Sequence, residues 1–236
     1  MNFKIKNLIQ HAFPIKLFII YRFLKKQLRF VSESERIYFD TNTVYSGHFN
    51  VTYKGIRSIR CPFDYVMYQM IIWEIKPDLI IEIGTSNGGG ALYMADILNM
   101  LGNGVVHTIN IENVADKEVL EHPRIKIFTN GWENYDLKET VGFSKILVID
   151  DGSHTCDDVL GSLNKFSPIV TIGSYFIVED GIVDELQKSK ELNGGPLKAI
   201  REFLKSKNNF IVDRKYCDMF GKNATFNTNG YLKRVK

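Results

Sequence analysis

The chain has little cysteine and little proline, three and six of 236 residues. Cys61, Cys156 and Cys217 lie far apart with no C-x-x-C pair, which excludes a zinc ribbon and a disulfide framework. Their odd number suits a reducing compartment, and a cytoplasmic location is expected. No apolar run approaches the roughly 20 residues needed to span a bilayer. The most apolar early stretch, Phe13–Leu24, is broken by Pro14, Lys16 and Arg22. It also lacks the small-residue cleavage site of a secretory signal. Basic residues on both sides (Lys4, Lys6, Lys25, Lys26, Arg29) leave two readings of residues 1–31 open. One is an amphipathic helix at the inner face of a membrane. The other is a helix packed on the protein's own body or on a second subunit of a homo-oligomer. Internal repeats and low-complexity tracts are absent.

What is present is an ordinary globular composition, 44% hydrophobic and 24% charged, which excludes wholesale disorder and a collagen-like fibre. The length fits one large domain, or a domain with an appendage. A net charge of +3 hides an asymmetry: residues 1–60 carry a balance of +8, residues 61–180 of −11, and residues 181–236 of +6. An acidic middle argues against nucleic acid as a partner, since such a binder spreads positive charge over its contact face.

After a polar, irregular stretch over residues 31–60, the chain falls into a repeating order. Tyr65, Tyr68, Ile71 and Ile72 give helical spacing over Asp64–Ile75, and Pro77 ends it. Leu79–Ile83 is a short apolar run bounded by Pro and Gly, as a strand buried on both faces requires. A helix is expected over Ala91–Leu101, then strands over Val105–Asn110, Ile125–Thr129 and Ile146–Asp150. A helix near Cys156–Asn164, a strand over Tyr175–Val178, a helix over Leu197–Leu204 opened by Pro196, and a strand over Phe210–Val212 follow. A final strand is expected within Ala224–Leu232. Strands alternating with helices predict an α/β fold, a mostly parallel sheet with helices on both faces.

Two segments carry chemistry. Glu82-Ile83-Gly84-Thr85-Ser86-Asn87-Gly88-Gly89-Gly90 leaves a buried strand and enters a helix. Glycines there allow a tight turn and let backbone N–H groups approach a ligand at the helix start. Ser86 stands where G-x-G-x-x-G has its second glycine, and no Lys-Ser/Thr pair makes a Walker loop. An acid in the strand followed by Gly-x-x-x-Gly is instead similar to an S-adenosylmethionine loop, in which Glu82, Gly84, Thr85 and Gly88 would meet the cofactor. The next strand ends in Thr108–Glu112, where an acid on the ribose hydroxyls is usual. Asn110 holds that place, so the contact falls either to Glu112 or to Asn110 through a neutral hydrogen bond.

The second segment is Asp150-Asp151-Gly152-Ser153-His154 at one strand end, with Glu179-Asp180-Gly181 at the end of the next strand. In an open parallel sheet, ligands bind beyond the carboxyl ends of the strands. Carboxylates crowded there repel one another unless a cation neutralises them. Oxygen ligands with open positions suit Mg²⁺, and His154 could take the proton of a bound hydroxyl. A lone acid at such a place would more often cap a helix, as Asp151 or Ser153 could. Two clusters at two strand ends favour the metal site. His11, His48, His107 and His122 lack comparable acids and read as structural, as do the aromatics of residues 65–73.

With both segments on the page, the chain resembles the family of cephalosporin hydroxylase and rhamnosyl O-methyltransferase proteins over roughly residues 53–236. Tyr53-Lys54-Gly55-Ile56, Cys61-Pro62-Phe63-Asp64, Lys76–Thr85, Asp151–His154, Val178-Glu179-Asp180 and Phe226–Leu232 carry the resemblance, in that order. It implies a Rossmann-like methyltransferase whose seven-stranded sheet has an antiparallel last strand. It further implies S-adenosylmethionine and Mg²⁺ as cofactors and a sugar hydroxyl, in a glycan or nucleotide-sugar, as acceptor. Asp151, Glu179 and Asp180 match the metal ligands, His154 the base, and Asn130-Gly131 the loop lining the adenine. Asp150, one residue early, is placed behind the ligands on the cofactor side. Residues 1–52 have no match and form an N-terminal extension. Three alternatives compete: a metal-dependent glycosyltransferase using Asp150–Ser153, an iron-dependent hydroxylase, and a non-catalytic cofactor-binding scaffold. The first would place its acid motif early, without a preceding Glu-x-Gly loop. The second needs two histidines where only His154 is well placed.

Overall fold

The computed structural model describes residues 36–236 together with Ile20 and Leu24. The interfacial-helix reading of residues 1–31, those two residues apart, lies outside the described part. The chain divides into two compact units, Met1–Asp40 and Thr41–Lys236. Among the described residues no helix is long and apolar enough to cross a membrane.

In the second unit, helix α1 (Thr41–His48) and a two-residue hairpin, β1 (Thr52–Tyr53) and β2 (Ile56–Arg57), precede the repeating part. The stretch expected to be irregular thus holds short ordered pieces, and residues 41–52 belong to the same unit as the sheet. Helix α2 (Pro62–Ile75) starts with proline at its first turn, where the missing N–H costs nothing, and ends on a left-handed Lys76 before Pro77. Then follow β3 (Leu79–Ile83), α3 (Gly89–Leu101), β4 (Val105–Ile109), α4 (Lys117–Leu120), β5 (Ile125–Phe128), β6 (Ile146–Asp150) and α5 (Cys156–Phe166). The remainder is β7 (Tyr175–Val178), α6 (Gly195–Ser206), β8 (Phe210–Val212), α7 (Arg214–Cys217) and β9 (Tyr231–Arg234).

The seven-stranded sheet has the order β5-β4-β3-β6-β7-β9-β8. Its first five strands are parallel, and β9 runs antiparallel to both β7 and β8. The central strands alternate between two cores, as period-two side chains must. Leu79, Ile81 and Ile83 pack with Val159, Leu163 and Phe166 of α5 and Ala199, Ile200 and Phe203 of α6. Ile80 packs on the other face with Met67, Ile71 and Ile72 of α2 and Met94, Ala95 and Leu98 of α3. Helices on both faces leave only the strand ends open for a ligand, and the order reverses between β3 and β6.

The last strand begins at Tyr231, where the expected window nearly ended. The residues before it serve another purpose. Asp64 of α2, fully buried, accepts from the Thr225 hydroxyl, the Phe226 amide at 3.2 Å and the Tyr231 hydroxyl at 3.1 Å. The Phe226–Tyr231 segment is therefore a loop folded onto one buried carboxylate. Burial pushes that carboxyl up to about 7, against the pull of the Thr225 hydroxyl.

Candidate functional site

The site lies beyond the carboxyl ends of β3, β4, β6 and β7, where β3 and β6 run in register with Ile83 opposite Asp150. The turn after β3 is set by Gly84, whose φ is +99°. A side chain there would meet the Asp151 carbonyl oxygen at 2.0 Å. The Asp151 amide in turn donates to the Ile83 carbonyl at 2.8 Å. The glycine loop and the first acidic strand tip are thus locked backbone to backbone. Four non-glycine residues of the cavity wall, Ile59, Ser86, His154 and Asp180, have positive φ of 33°, 47°, 58° and 54°. Strain of this kind persists where the surroundings over-determine it, commonly at functional sites.

Glu82, inside β3 and 1% exposed, accepts from the Thr108 hydroxyl at 2.7 Å, and Thr108 and Thr85 hydroxyls lie 2.7 Å apart. Burial pushes its carboxyl up to about 7, opposed by Arg60. Arg60 is the organising cation. Though 2% exposed, it reaches three acids: Nη2 lies 2.7 Å from Glu179, 3.1 Å from Asp151 and 3.5 Å from Glu82, and Nε donates to Glu179 at 3.2 Å. Loss of hydration works against its charge, but Glu179, Asp151 and Glu82 outweigh it and hold the guanidinium's pKa well above the ordinary value. Tyr68, read as helix core, donates its hydroxyl to Glu179 at 2.7 Å and accepts from Asn227 Nδ2 at 3.0 Å.

The acidic strand tips do meet. Asp151, Asp180 and His154 each offer a ligand atom within 4.8 Å of the others, a set able to hold a metal ion. His154 Nε2 stands 3.4 Å from Asp180 and 3.8 Å from Asp151. Loss of hydration, then the charge of Glu179, holds the Asp151 carboxyl well above the usual range, with Arg60 opposing. Glu179, expected among the ligands, has both oxygens on Arg60 and one on Tyr68. It touches the metal set only through the guanidinium it shares with Asp151. The reason is burial: a carboxylate 4% exposed needs a cation, and Arg60 is beside it.

One cavity of about 690 Å³ joins the glycine loop to these acids. Of the residues expected to meet a cofactor, Glu82, Gly84, Thr85, Asn110 and Gly131 line it. Gly88, Glu112, Asn130 and Asp150 do not. Gly88 starts α3 with φ +89° and backs onto Val119. Glu112 is exposed outside the wall, which leaves Asn110 as the polar group at the tip of β4. Asn130 turns its amide to the Asn134 carbonyl at 3.0 Å. Asp150 has the same strand parity as Ile146 and Val148, so it faces α5, where the Ser162 hydroxyl and the Gly152 amide bind it.

The sequence reading missed Arg60, Ser58, Trp132 and the aromatic group Tyr45, His48 and Phe49, all in the wall. His48, read as structural, is buried beside Phe226 and still borders the cavity. His107 is structural as expected: it bonds the Tyr135 hydroxyl at 2.7 Å, and burial lowers it to about 4.

A model of the family described as rhamnosyl O-methyltransferase/CmcI matches residues 45–235. A rhamnosyl O-methyltransferase of Mycobacterium tuberculosis is 28% identical over 192 residues, 78% of each chain. One of Mycobacterium leprae is 28% identical over 204 residues, 80% of this chain and 87% of its own. Among solved structures, CmcI with SAH aligns at TM-score 0.63 and 18% identity over 96% of this chain and 94% of its own. CmcI with Mg and SAM aligns at 0.62 and 18%, covering 96% and 86%. These last two are likenesses of fold.

Proposed function

The chain belongs to the rhamnosyl O-methyltransferase/CmcI family, and we propose that it is an S-adenosylmethionine- and Mg²⁺-dependent O-methyltransferase whose acceptor is a sugar hydroxyl. The observation that carries this is the single cavity with two chemically distinct halves, a glycine loop under an embedded acid on one side and an acid–imidazole cluster on the other. The named relatives are rhamnosyl O-methyltransferases, which supports the sugar.

The cofactor half is built to hold a nucleoside: Asn110 offers a neutral hydrogen-bonding group for ribose, and Ile111, Gly131 and Trp132 offer an apolar wall for a base. The other half fits a divalent ion. Its donors are the carboxylate oxygens of Asp151 and Asp180, with the His154 imidazole beside them within 4.8 Å. Asp151 and Asp180 would hold Mg²⁺, with Glu179 behind them, engaged by Arg60 and Tyr68. When bound, S-adenosylmethionine supplies the methyl group and the ion supplies positive charge that acidifies a hydroxyl. His154, in the cavity wall, takes the hydroxyl proton on its imidazole. Tyr45 and Phe49 add aromatic faces at the wall, against which the C–H faces of a sugar ring can pack while its hydroxyls meet the acids. Closing two reactants into one cavity supplies orientation. The hydroxylase alternative would need two imidazoles in the ligand set, and the cluster contains one.

Transfer of labelled methyl from S-adenosylmethionine to a panel of nucleotide-sugars and glycans, with and without chelator, tests the reading. Methylation of a sugar hydroxyl that stops on chelation and returns with Mg²⁺ is expected. His154→Ala should cut turnover at least about a hundredfold while cofactor affinity changes little. Unchanged turnover in that variant removes the base, and transfer unaffected by chelator removes the ion.

A further inference from the structure

His48 is a polar ring in an apolar nest. It ends α1 and is 3% exposed. Its ring stands 4.6 Å from that of Tyr45, 4.0 Å from Phe49 and, edge to face, 5.2 Å from Phe226. A phenyl ring would fill this space without the cost of stripping an imidazole of water. One of its nitrogens is satisfied locally. Nδ1 bonds the Tyr45 carbonyl, and a carbonyl can only accept, so Nδ1 carries the proton. The neutral ring then bears its lone pair on Nε2. That nitrogen has no hydrogen-bond partner among the described residues, yet it is not sealed off as Nδ1 of His154 is. His48 lines the large cavity, so Nε2 opens onto that space.

Phe226 fixes the place of this nitrogen along the cavity. The Ile182 amide donates to the Phe226 carbonyl at 2.9 Å, and Ile182 follows closely on Asp180. Tyr45, Ile182 and Phe226 pack in one cluster. His48 thus belongs to the acid side of the cavity, with Asp180 and His154. Tyr45 is held in turn by Lys188, whose ammonium lies 4.4 Å from the ring centroid and 3.3 Å from the hydroxyl. The result is a fixed aromatic wall with one hydrogen-bond acceptor set in it. A sugar ring presents the complement, C–H groups on its faces and hydroxyl donors at its rim.

We propose that His48 Nε2, with Tyr45 and Phe49, forms the acceptor subsite and takes a hydrogen bond from a second hydroxyl of the sugar, not the one that is methylated. This inference rests on the reading of the cavity as a sugar O-methyltransferase site. It names the acceptor more closely: a sugar with at least two free hydroxyls, one presented to the acids and the other to the His48 imidazole. Proton removal stays with His154, and His48 sets specificity. A site with a buried acceptor rejects a substrate that lacks the matching donor, because the nitrogen is then left dry and unpaired.

The test measures kcat/KM for methyl transfer to methyl α-L-rhamnopyranoside and to its three monodeoxy analogues. The analogue without the methylated hydroxyl gives no product. Of the other two, one should lose about tenfold or more in the wild type. Two variants assign that loss. A glutamine amide reaches the place of Nε2, whereas an asparagine amide reaches only the place of Nδ1. His48→Gln should therefore keep the discrimination within about threefold, and His48→Asn should abolish it. Both should bind S-adenosylhomocysteine as the wild type does, because His48 lies on the acid side. Discrimination kept equally in both variants, or every glycoside slowed alike in both, is the outcome of a merely structural role and overturns the proposal. So does a wild type that treats both remaining analogues like the parent, with no variant needed. A wild type that methylates no rhamnoside overturns the proposal together with the sugar reading beneath it.

Discussion

Replacing Gly84 by alanine isolates what the close approach of two strand tips costs. Two penalties act. Alanine at φ +99° sits in a region that side chains avoid, which costs about 1–3 kcal/mol. In addition, its Cβ would lie 2.0 Å from the Asp151 carbonyl oxygen and 2.6 Å from the carbonyl carbon. Backbone cannot rotate aside as a flexible side chain can. Relief requires the Asp151 peptide to retreat by about 1 Å, which weakens the 2.8 Å hydrogen bond from its amide to Ile83. That bond is worth about 1 kcal/mol, so the total falls near 2–4 kcal/mol, a large share of the roughly 5–15 kcal/mol that holds most domains folded.

Gly142 supplies the control. Its φ is +97°, nearly the same, and nothing lies within 4 Å of a Cβ placed there. Gly142→Ala therefore reports the backbone penalty alone. Urea unfolding of the wild type and both variants should show Gly84→Ala about 1 kcal/mol or more below Gly142→Ala. Gly84→Ala should also weaken Mg²⁺ binding, since Asp151 is displaced with its peptide, while Gly142→Ala should not. Equal unfolding midpoints for the two variants would refute the interlock.

Other expectations follow from buried groups. Asp64 holds its proton up to about pH 7 when folded and to about 4 when unfolded, so the folded state binds more protons between these values and this group's effect on stability worsens as pH rises through that window. Asp64→Asn should accordingly gain on the wild type between pH 5 and pH 8, by up to about 1.4 kcal/mol per pH unit inside the window. Melting curves at several pH values check it, and a constant gap between the two proteins would contradict it. Gly161 of α5 abuts the Trp132 ring, 2.5 Å from where a Cβ would stand. Gly161→Ala should push the indole toward the cavity and weaken S-adenosylhomocysteine binding severalfold at a stability cost of about 1–3 kcal/mol. Unchanged affinity would show that Trp132 is not part of the nucleoside wall.

The central strands were legible because a strand buried on both faces has to be apolar throughout, and Leu79–Ile83, Ile146–Asp150 and Tyr175–Val178 are bounded by residues that stop strands. The acids at their ends were legible as a group for the same reason, since a parallel sheet presents its strand tips together. Individual roles were less so. Asp150 and Asp151 are neighbours in sequence, but strand parity turns one into α5 and the other into the cavity, and only the register of β6 decides which. The late start of β9 was hidden because the Thr225–Tyr231 loop answers to Asp64, more than 160 positions away. Arg60 left no local trace, being one basic residue in a basic stretch. An indirect signal existed: an acid inside an apolar run, Glu82, requires an internal cation.

That requirement explains why the two halves of the cavity cannot be treated as separate sites. Asp151 is tied to the glycine loop through Gly84 and to Glu82 and Glu179 through one guanidinium. A shift of Arg60 alters the charge balance at all three acids together, and a shift of the Asp151 peptide is felt at Gly84. Groups joined in one network of ion pairs and backbone contacts do not contribute additively, so substitutions at Arg60, Gly84 and Asp151 will show interaction energies when combined. By the same reasoning, a ligand that stiffens either half changes the affinity of the other half, and it does so reciprocally. The residue that most directly carries this coupling is Arg60, whose Nη2 lies beside Glu82 and beside Asp151.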